Sequence, residues 1–500
     1  MKRLLVLCAL LGCGSPSPGA YSAADTSDSP DGEATAASDE LGAGIPDARP
    51  TIPESSAYTP PLPDAVRLPP FAGARLLERP GLGLLSLRIV VPRGSAYDPP
   101  ARSGLAALAA EMMEQGAGSM DGFELALAAE RIGAEIAVVV RRDYSLVTLD
   151  ATADRLEPAL ALLADVVLRP RFDAGEWART KSLWLEDLDA RAFEPGALAP
   201  LAADAALYGT DHPYGRPVDG LKAGVEAISL DEVQAFHRAH WRVDAATLVA
   251  VGEVTADGLA AAVSRAFTGV GERDAPPELQ KSPLAPTKAW PRLVVVDRPD
   301  APQTILRVTW PGPSMQGTDR SALEIVDFVL GGSFTSRLNS NLREDKGYTY
   351  GARSRLPTNR GAGPFTAGAA VQAEVTGKAL TELLAELEGI AKSGPTPEEI
   401  AKARASLRND DVQAYETVAG AADRLALLAG LGLPLRYDVD AATGRLRPSE
   451  ETIAEAARFF FPDRALVVAV GDRRTIESGL KAEGIDLGTP EVRDAEGKRR

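Results

Sequence analysis

Histidine is scarce in this chain of 500 residues: there are three, at positions 212, 237 and 240. Cysteine is scarcer, with only Cys8 and Cys13. Both cysteines sit at the extreme N-terminus, so no disulfide framework can staple the body and no cysteine nucleophile is available there. There is no G-x-S-x-G turn to present a serine nucleophile and no glycine pattern of the phosphate-loop kind. Positive charge is in the minority, 54 Lys and Arg against 70 Asp and Glu, for a net charge of −16. That balance argues against nucleic acid as a partner, because phosphate contacts require a basic surface. No apolar run reaches the roughly 20 residues needed to cross a bilayer as a helix. What remains, 45% hydrophobic and 25% charged, is globular composition with length for two or more domains.

The N-terminus reads as an address. Lys2 and Arg3 precede the short apolar run Leu4 to Leu11, which ends in Gly12 and Cys13. The arrangement resembles a bacterial lipobox, which makes residues 1–12 a signal peptide and Cys13 the lipidated start of the mature chain. An ordinary secretory signal cut near Ala20 is the alternative. Residues 13–62 are rich in Gly, Ser, Pro and Asp with hardly an apolar cluster. Such a segment cannot bury enough surface to offset its ordering entropy and is expected to be a disordered tether.

The body reads as a duplication. LSLRIVVPRG (85–94) matches TILRVTWPGP (304–313), and LVAVG (248–252) matches VVAVG (467–471), both at an offset of 219 residues. Each copy mixes strand-like runs with helical periodicity. In the first, Leu87–Val91 is strand-like and Ser103 is expected to cap a helix carrying Leu105, Leu108 and Met112. Two β-rich runs flank the turn Arg141-Arg142-Asp143, and helices follow through Pro158–Val167 and Trp177–Leu188. In the second, Thr396-Pro397-Glu398-Glu399 has the form of a helix start. The segments divide as a domain over 63–270, a Pro-rich linker over 271–290, a second domain over 291–488 and a polar tail over 489–500.

Within the second copy, residues 331–351 (GGSFTSRLNSNLREDKGYTYG) stand out. Gly331, Gly332 and Ser333 form a turn that lets a backbone approach another chain closely. Arg343 and Tyr350 can together hold a peptide carbonyl or a developing oxyanion. The same residues also fit a plain helix, turn and strand with a surface Arg and a half-buried Tyr.

This stretch is similar to the second-domain segment of the pitrilysin/insulinase and mitochondrial processing peptidase family, the inverzincin zinc peptidases. In that family an Arg and a Tyr seven residues apart bind substrate, and Arg343 and Tyr350 have this spacing. HPYGRPVDG (212–220) and FHRAHWRVDAATLVAVGEV (236–254) resemble further family segments in the same order, so the likeness covers about residues 65–490. It implies an α+β fold of two homologous α/β-sandwich domains forming half of a clam shell.

The family's chemistry is another matter. It binds zinc through an H-x-x-E-H helix whose Glu acts as base on the metal's water, with a further Glu downstream. Here the matching helix, 104–118, places Ala107 and Glu111 at the two His positions and Ala110 at the base position. The downstream ligand position falls on Asp187, beside Glu186. Two carboxylates are a poor set for zinc, which prefers nitrogen and sulfur, and alanine cannot take a proton from water. His237 and His240 have a metal-binding i, i+3 spacing, but they align with a family position of no catalytic role and are expected to be structural. His212 precedes a proline and is expected to shape its loop. No catalytic residue and no cofactor are therefore assigned to this chain.

The resemblance implies a non-catalytic, substrate-binding subunit of a heterodimeric peptidase, with zinc in a partner chain and a peptide as ligand. Two alternatives stand beside it: a scaffolding or peptide-binding lipoprotein without proteolytic role, and an independently active zinc peptidase. The lipobox implies membrane attachment facing the periplasm, at the outer membrane.

Overall fold

The computed structural model describes residues 58–270, 289–317 and 320–500. The expected signal peptide, Cys13, nearly all of the tether and positions 271–288 of the linker lie outside the described residues.

The β-branched runs become the strands of two six-stranded sheets. The first contains β1 (Asp64–Val66), β2 (Gly73–Glu78), β3 (Leu84–Val91), β4 (Glu135–Val140), β5 (Ser145–Thr152) and β6 (Thr247–Gly252), in the order β1-β2-β6-β3-β5-β4. The second contains β7 (Leu293–Asp297), β8 (Gln303–Pro311), β9 (Thr349–Arg355), β10 (Pro364–Gln372), β11 (Leu466–Gly471) and β12 (Glu491–Arg493), in the order β9-β10-β8-β11-β7-β12. Without β1 and β12 the two orders are the same. The repeat extends to register: Leu87 lies opposite Ala250, and Leu306 opposite Ala469. Ala74 lies beside Leu248 in the parallel pairing, and Leu293 beside Val467. A slip of one residue would turn every side chain to the other face, so equal register means that equivalent positions face the same way.

The edges differ. β1 pairs antiparallel with β2, whereas β12 pairs parallel with β7. The expected polar tail is thus folded onto the second sheet. An edge strand needs no apolar face, and Arg493 holds it by binding Glu491 and the carbonyl of Gly497.

On one face each sheet packs against its own half. Leu87, Ile89, Val147 and Leu149 meet Leu160, Leu163 and Val167 in the first. Leu306, Val308, Phe365 and Val371 meet Leu380, Leu383 and Leu387 in the second. Helix α1 (Leu105–Glu114) turns Ala110 and Met113 to the first core. Its Leu108 and Met112 pack toward α2 (Ala174–Arg191) and the helix that ends in His240. Ser103 does not cap α1. Gly104 takes the N-cap position with φ +97, and the Asp98 carboxylate accepts from the backbone N–H of Gly104 (2.8 Å) and Ala106 (2.9 Å). A carboxylate complements the positive helix end better than a hydroxyl, and the Ser103 hydroxyl instead accepts from Leu221 N–H (3.0 Å).

The other faces are covered by exchange. Helix α3 (Pro195–Tyr208), from the first half, lays Leu198, Ala202 and Leu207 on Val294, Val296, Val468 and Val470 of the second sheet. Helix α4 (Val418–Gly430), from the second half, lays Ala422, Leu425 and Ala426 on Val90, Val249 and Val251 of the first. Each large apolar side chain buried this way contributes about 1.5–3 kcal/mol. The two halves are sequence repeats, each with its own sheet, and each lends a helix to the other's sheet.

Candidate functional site

Two candidate regions follow from the sequence, one on α1 and one on the segment leading into β9. At α1 the positions are packed shut. Ala107 is 7% and Ala110 2% exposed. Glu111 is half-buried, and its carboxylate accepts from the Gln115 amide (3.0 Å). The Gln115 carbonyl in turn accepts from Arg179 (2.7 Å) on α2, which also donates to Glu176 (2.8 Å). This polar chain between α1 and α2 was not visible in the sequence, because Gln115 and Arg179 are far apart along it. Glu186 and Asp187 are exposed on α2. Among the described residues no group of three His, Cys, Asp or Glu side chains is placed to hold a metal ion. The donor set left at these positions, two carboxylates and two methyl groups, does not fit zinc.

The histidines diverge. His237 Nε2 lies 3.0 Å from the carbonyl of Val167. His240 packs on Phe236 (ring centroids 4.4 Å) and Tyr97 (5.5 Å). Burial, with a smaller effect of Arg93, pushes its pKa down to about 4, so it is neutral at pH 7. His212 Nδ1 accepts from the backbone N–H of Tyr214 (3.0 Å) and shapes its loop.

The second region is built differently. The chain runs from helix Arg320–Asp327 into a π-helical turn, Phe328–Gly332, and after a loop into a second one, Ser340–Asp345. Single π turns recur at functional sites because each one rotates the side chains that follow. Asn339, 5% exposed, fastens the loop: its Oδ1 accepts from Ala352 N–H (2.8 Å) on β9, and its Nδ2 donates to the Ser333 carbonyl (3.2 Å). Gly331 meets β9 so closely that a Cβ there would lie 2.2 Å from Ser354 N. At Gly332 the nearest atom would be 3.3 Å away. The close approach allowed by Gly331 is therefore to the chain's own strand, and Gly332 is under no such demand. Gly347, at φ +65, turns the chain into β9.

Arg343 and Tyr350 both reach solvent. The Arg343 guanidinium carbon sits 4.2 Å from the centroid of Phe334, a ring that is itself 64% exposed. Arg343 Nε lies 3.5 Å from the Glu344 carboxylate. Tyr350 is 93% exposed, not half-buried, because the β9–β10 register shifts between Thr349 and Ala352 and lifts the residue out of the ladder. The sequence marks Phe334 only as an aromatic residue inside a glycine- and serine-rich turn. The region offers a half-buried Arg on an exposed aromatic ring and an exposed phenol on the same surface segment.

Residues 84–216 match the model of the insulinase family, peptidase family M16, and residues 227–407 match that of the peptidase M16 inactive domain. The chain belongs to the insulinase family. The segment containing Arg343 and Tyr350 falls in the match to the inactive domain. Relatives include an uncharacterized zinc protease of Mycobacterium tuberculosis, 30% identical over 303 residues, 60% of this chain and 68% of that protein. One of Mycobacterium leprae is 28% identical over 320 residues, 63% and 70% of the two chains. Among solved structures, a peptidase M16 inactive domain from Pseudomonas fluorescens has a TM-score of 0.75 at 26% identity, over 82% of this chain and 98% of that one. A protease from Helicobacter pylori has the same TM-score at 18% identity, over 83% and 100%, which speaks for the fold alone. In this insulinase-family fold the two sheets repeat as expected, while the α1 positions of this member carry no zinc-binding set.

Proposed function

We propose that this chain is a non-catalytic, peptide-binding subunit of a zinc peptidase whose metal is held by a partner chain of the same family. The observation that carries the reading is the contrast within one family member. Ala107 and Ala110 leave α1 without two of the groups that metal-assisted hydrolysis requires, while Tyr350 is exposed and the half-buried Arg343 reaches solvent on the same segment. An Arg donates to a carbonyl without changing protonation, and a phenol can add a second hydrogen bond to the same oxygen. Attachment to a membrane facing the periplasm, through lipid on Cys13, belongs to the same proposal.

The test is reconstitution with a family member carrying an intact H-x-x-E-H. Arg343→Ala or Tyr350→Phe in this chain lowers turnover by the partner roughly 10²–10³-fold where the hydrogen bond forms chiefly in the transition state. The Michaelis constant rises instead where ground and transition states are bound equally. Cleavage unchanged by both variants, in a pair that still assembles, removes the substrate-binding role. The exposed rings of Phe334 and Tyr350 equally suit a peptide-binding lipoprotein without a protease partner. Purification from membranes separates the two, since only the subunit reading requires a zinc-containing chain to come with it.

A further inference from the structure

The register repeat allows a residue-by-residue comparison of the rows on the two faces that the exchanged helices cross. In the first sheet, Arg88 on β3 aligns with Thr148 on β5 and then Ala137 on β4. In the second, Arg307 on β8 aligns with Gly368 on β10 and then Arg353 on β9. The next row reads Val90, Leu146, Val139 in the first sheet and Thr309, Thr366, Arg355 in the second. Side chains along such a row share one face of a sheet.

The two faces treat their guanidinium groups in opposite ways. Arg88 is 2% exposed and fully answered: it donates to Asp423 of α4 (2.7 Å), to Asp150 of β5 (2.8 and 3.2 Å) and to the carbonyls of Leu87 and Leu149. Burial alone would lower its pKa, but Asp150 and Asp423 raise it above the ordinary guanidinium value. Arg307 occupies the equivalent place and has no such partners. The residue opposite Ile305, where Asp150 would stand, is Ala370. The counterpart of Asp423 is Asp204 on α3, and Asp204 is bound to Arg142. Burial pushes Arg307 down; Asp204 offsets this in part, and Arg142 and Arg355 push it further. Arg353 and Arg355 are exposed, and among the described residues neither they nor Arg307 makes a hydrogen bond or an ion pair. Ala352, Ser354 and Leu356 alternate with them and are buried, so Arg353 and Arg355 point to the same side. Helix α3 packs on β11, β8 and β7, and on the same side Thr366 and Gly368 of β10 are half-buried while Arg353 and Arg355 of β9 are exposed.

We propose that Arg307, Arg353 and Arg355 form an anion-selective subsite that takes acidic side chains of an extended peptide lying along β9. Arg353 and Arg355 are two residues apart on a strand, about 7 Å, which matches the same-face spacing of alternate side chains in another extended chain. Guanidinium groups without partners bind carboxylates through paired charge-assisted hydrogen bonds. Tyr350 stands three residues before Arg353 on the same strand, so the subsite adjoins the surface already assigned to peptide. The proposal rests on that reading and adds the class of peptide: acidic, despite the chain's own net charge of −16.

Fluorescence anisotropy on the full chain tests it, with two labelled extended peptides that differ only at two alternate positions, Glu in one and Gln in the other. The Glu peptide binds at least about tenfold tighter, the effect of one charged hydrogen-bonded pair. Arg353→Gln combined with Arg355→Gln abolishes that preference and leaves the affinity for the Gln peptide unchanged. Both residues are exposed, so the variant folds, and an unchanged melting temperature checks this. Equal affinity for the two peptides, or a preference that survives the double substitution, overturns the subsite and leaves peptide binding standing. Failure of either peptide to bind overturns both. A single-stranded oligonucleotide run in parallel that binds more tightly than the Glu peptide also overturns the assignment, in favour of phosphate recognition.

Discussion

The two halves of this molecule share strand order, register and helix exchange, yet one has closed its polar site and the other has kept polar groups in the open. In the first half Ala107 and Ala110, at one metal position and the base position of the family, are buried methyl groups, and the buried arginine of the covered face is neutralised by two aspartates. In the second half an arginine rides on an exposed aromatic ring, a tyrosine is lifted out of its strand, and three further arginines make no hydrogen bond or ion pair among the described residues. A duplicated fold can therefore divide labour without changing its backbone. Packing constrains the core faces equally, while the chemistry of each copy is decided by a few side chains at equivalent positions.

The largest expected effect tests whether the first half is closed. Ala110→Glu, which replaces a 2% exposed methyl group by the family's catalytic residue, puts an unpaired carboxylate in the core. It lowers stability by about 3 kcal/mol or more. Arg343→Ala in the second half changes stability by no more than about 0.5 kcal/mol, as exposed positions do. Urea unfolding of both variants checks the pair, and equal costs would erase the distinction between a closed and an open half.

Next come the glycines of the second half. Gly331→Ala drives a Cβ to 2.2 Å from a backbone nitrogen, so the turn or β9 must shift. The expected cost is about 2–3 kcal/mol, as for other overpacked sites. Gly332→Ala, with 3.3 Å to its nearest neighbour, costs less than about 1 kcal/mol. Melting temperatures that fall equally would show that the motif's glycines serve something other than contact with β9.

The arginine pair gives a third contrast. Arg88→Met removes hydrogen bonds to two aspartates and two carbonyls and is expected to cost about 2–4 kcal/mol. Arg307→Met removes a half-buried charge without a bonded partner and is expected to be neutral or stabilising by about 1 kcal/mol. Denaturation midpoints of the two variants decide this, and a loss at Arg307 as large as at Arg88 would mean that Asp204 answers it after all.

The last contrast is in pH dependence, and its sign differs between the halves. His240, in the first, is held near 4 by burial, below its ordinary 6.5. The unfolded chain takes a proton there before the folded one does, so this residue subtracts stability as pH falls from 6.5 toward 4. Asp327, in the second half, is raised by burial to about 6 from 3.8. Its contribution is full below 3.8 and is lost as pH rises through 6. Accordingly, the stability of the parent relative to His240→Phe falls between pH 7 and 4.5, and that relative to Asp327→Asn grows. Parallel trends would contradict one of the two assignments.

Much of this was legible in the sequence. The 219-residue offset between LSLRIVVPRG and TILRVTWPGP announced the duplication, because alternating β-branched residues reveal a strand wherever it packs. The helix start at Thr396 was equally local, and it forms as expected, Thr396 Oγ1 accepting from Glu399 N–H and the Glu399 carboxylate from Thr396 N–H. The loss of the metal set was readable from Ala107 and Ala110, since a methyl group has no lone pair in any fold. What tertiary structure alone decided depends on distance in space rather than along the chain. Asp98, not Ser103, caps α1, because a loop returns a stronger acceptor to the helix end. Residues 491–493 become a strand only because β7 offers them an edge. The covering of each sheet by the other half's helix, and with it the contrast between a neutralised Arg88 and an Arg307 without an ion pair, arises from side chains more than sixty residues apart that long-range packing brings together.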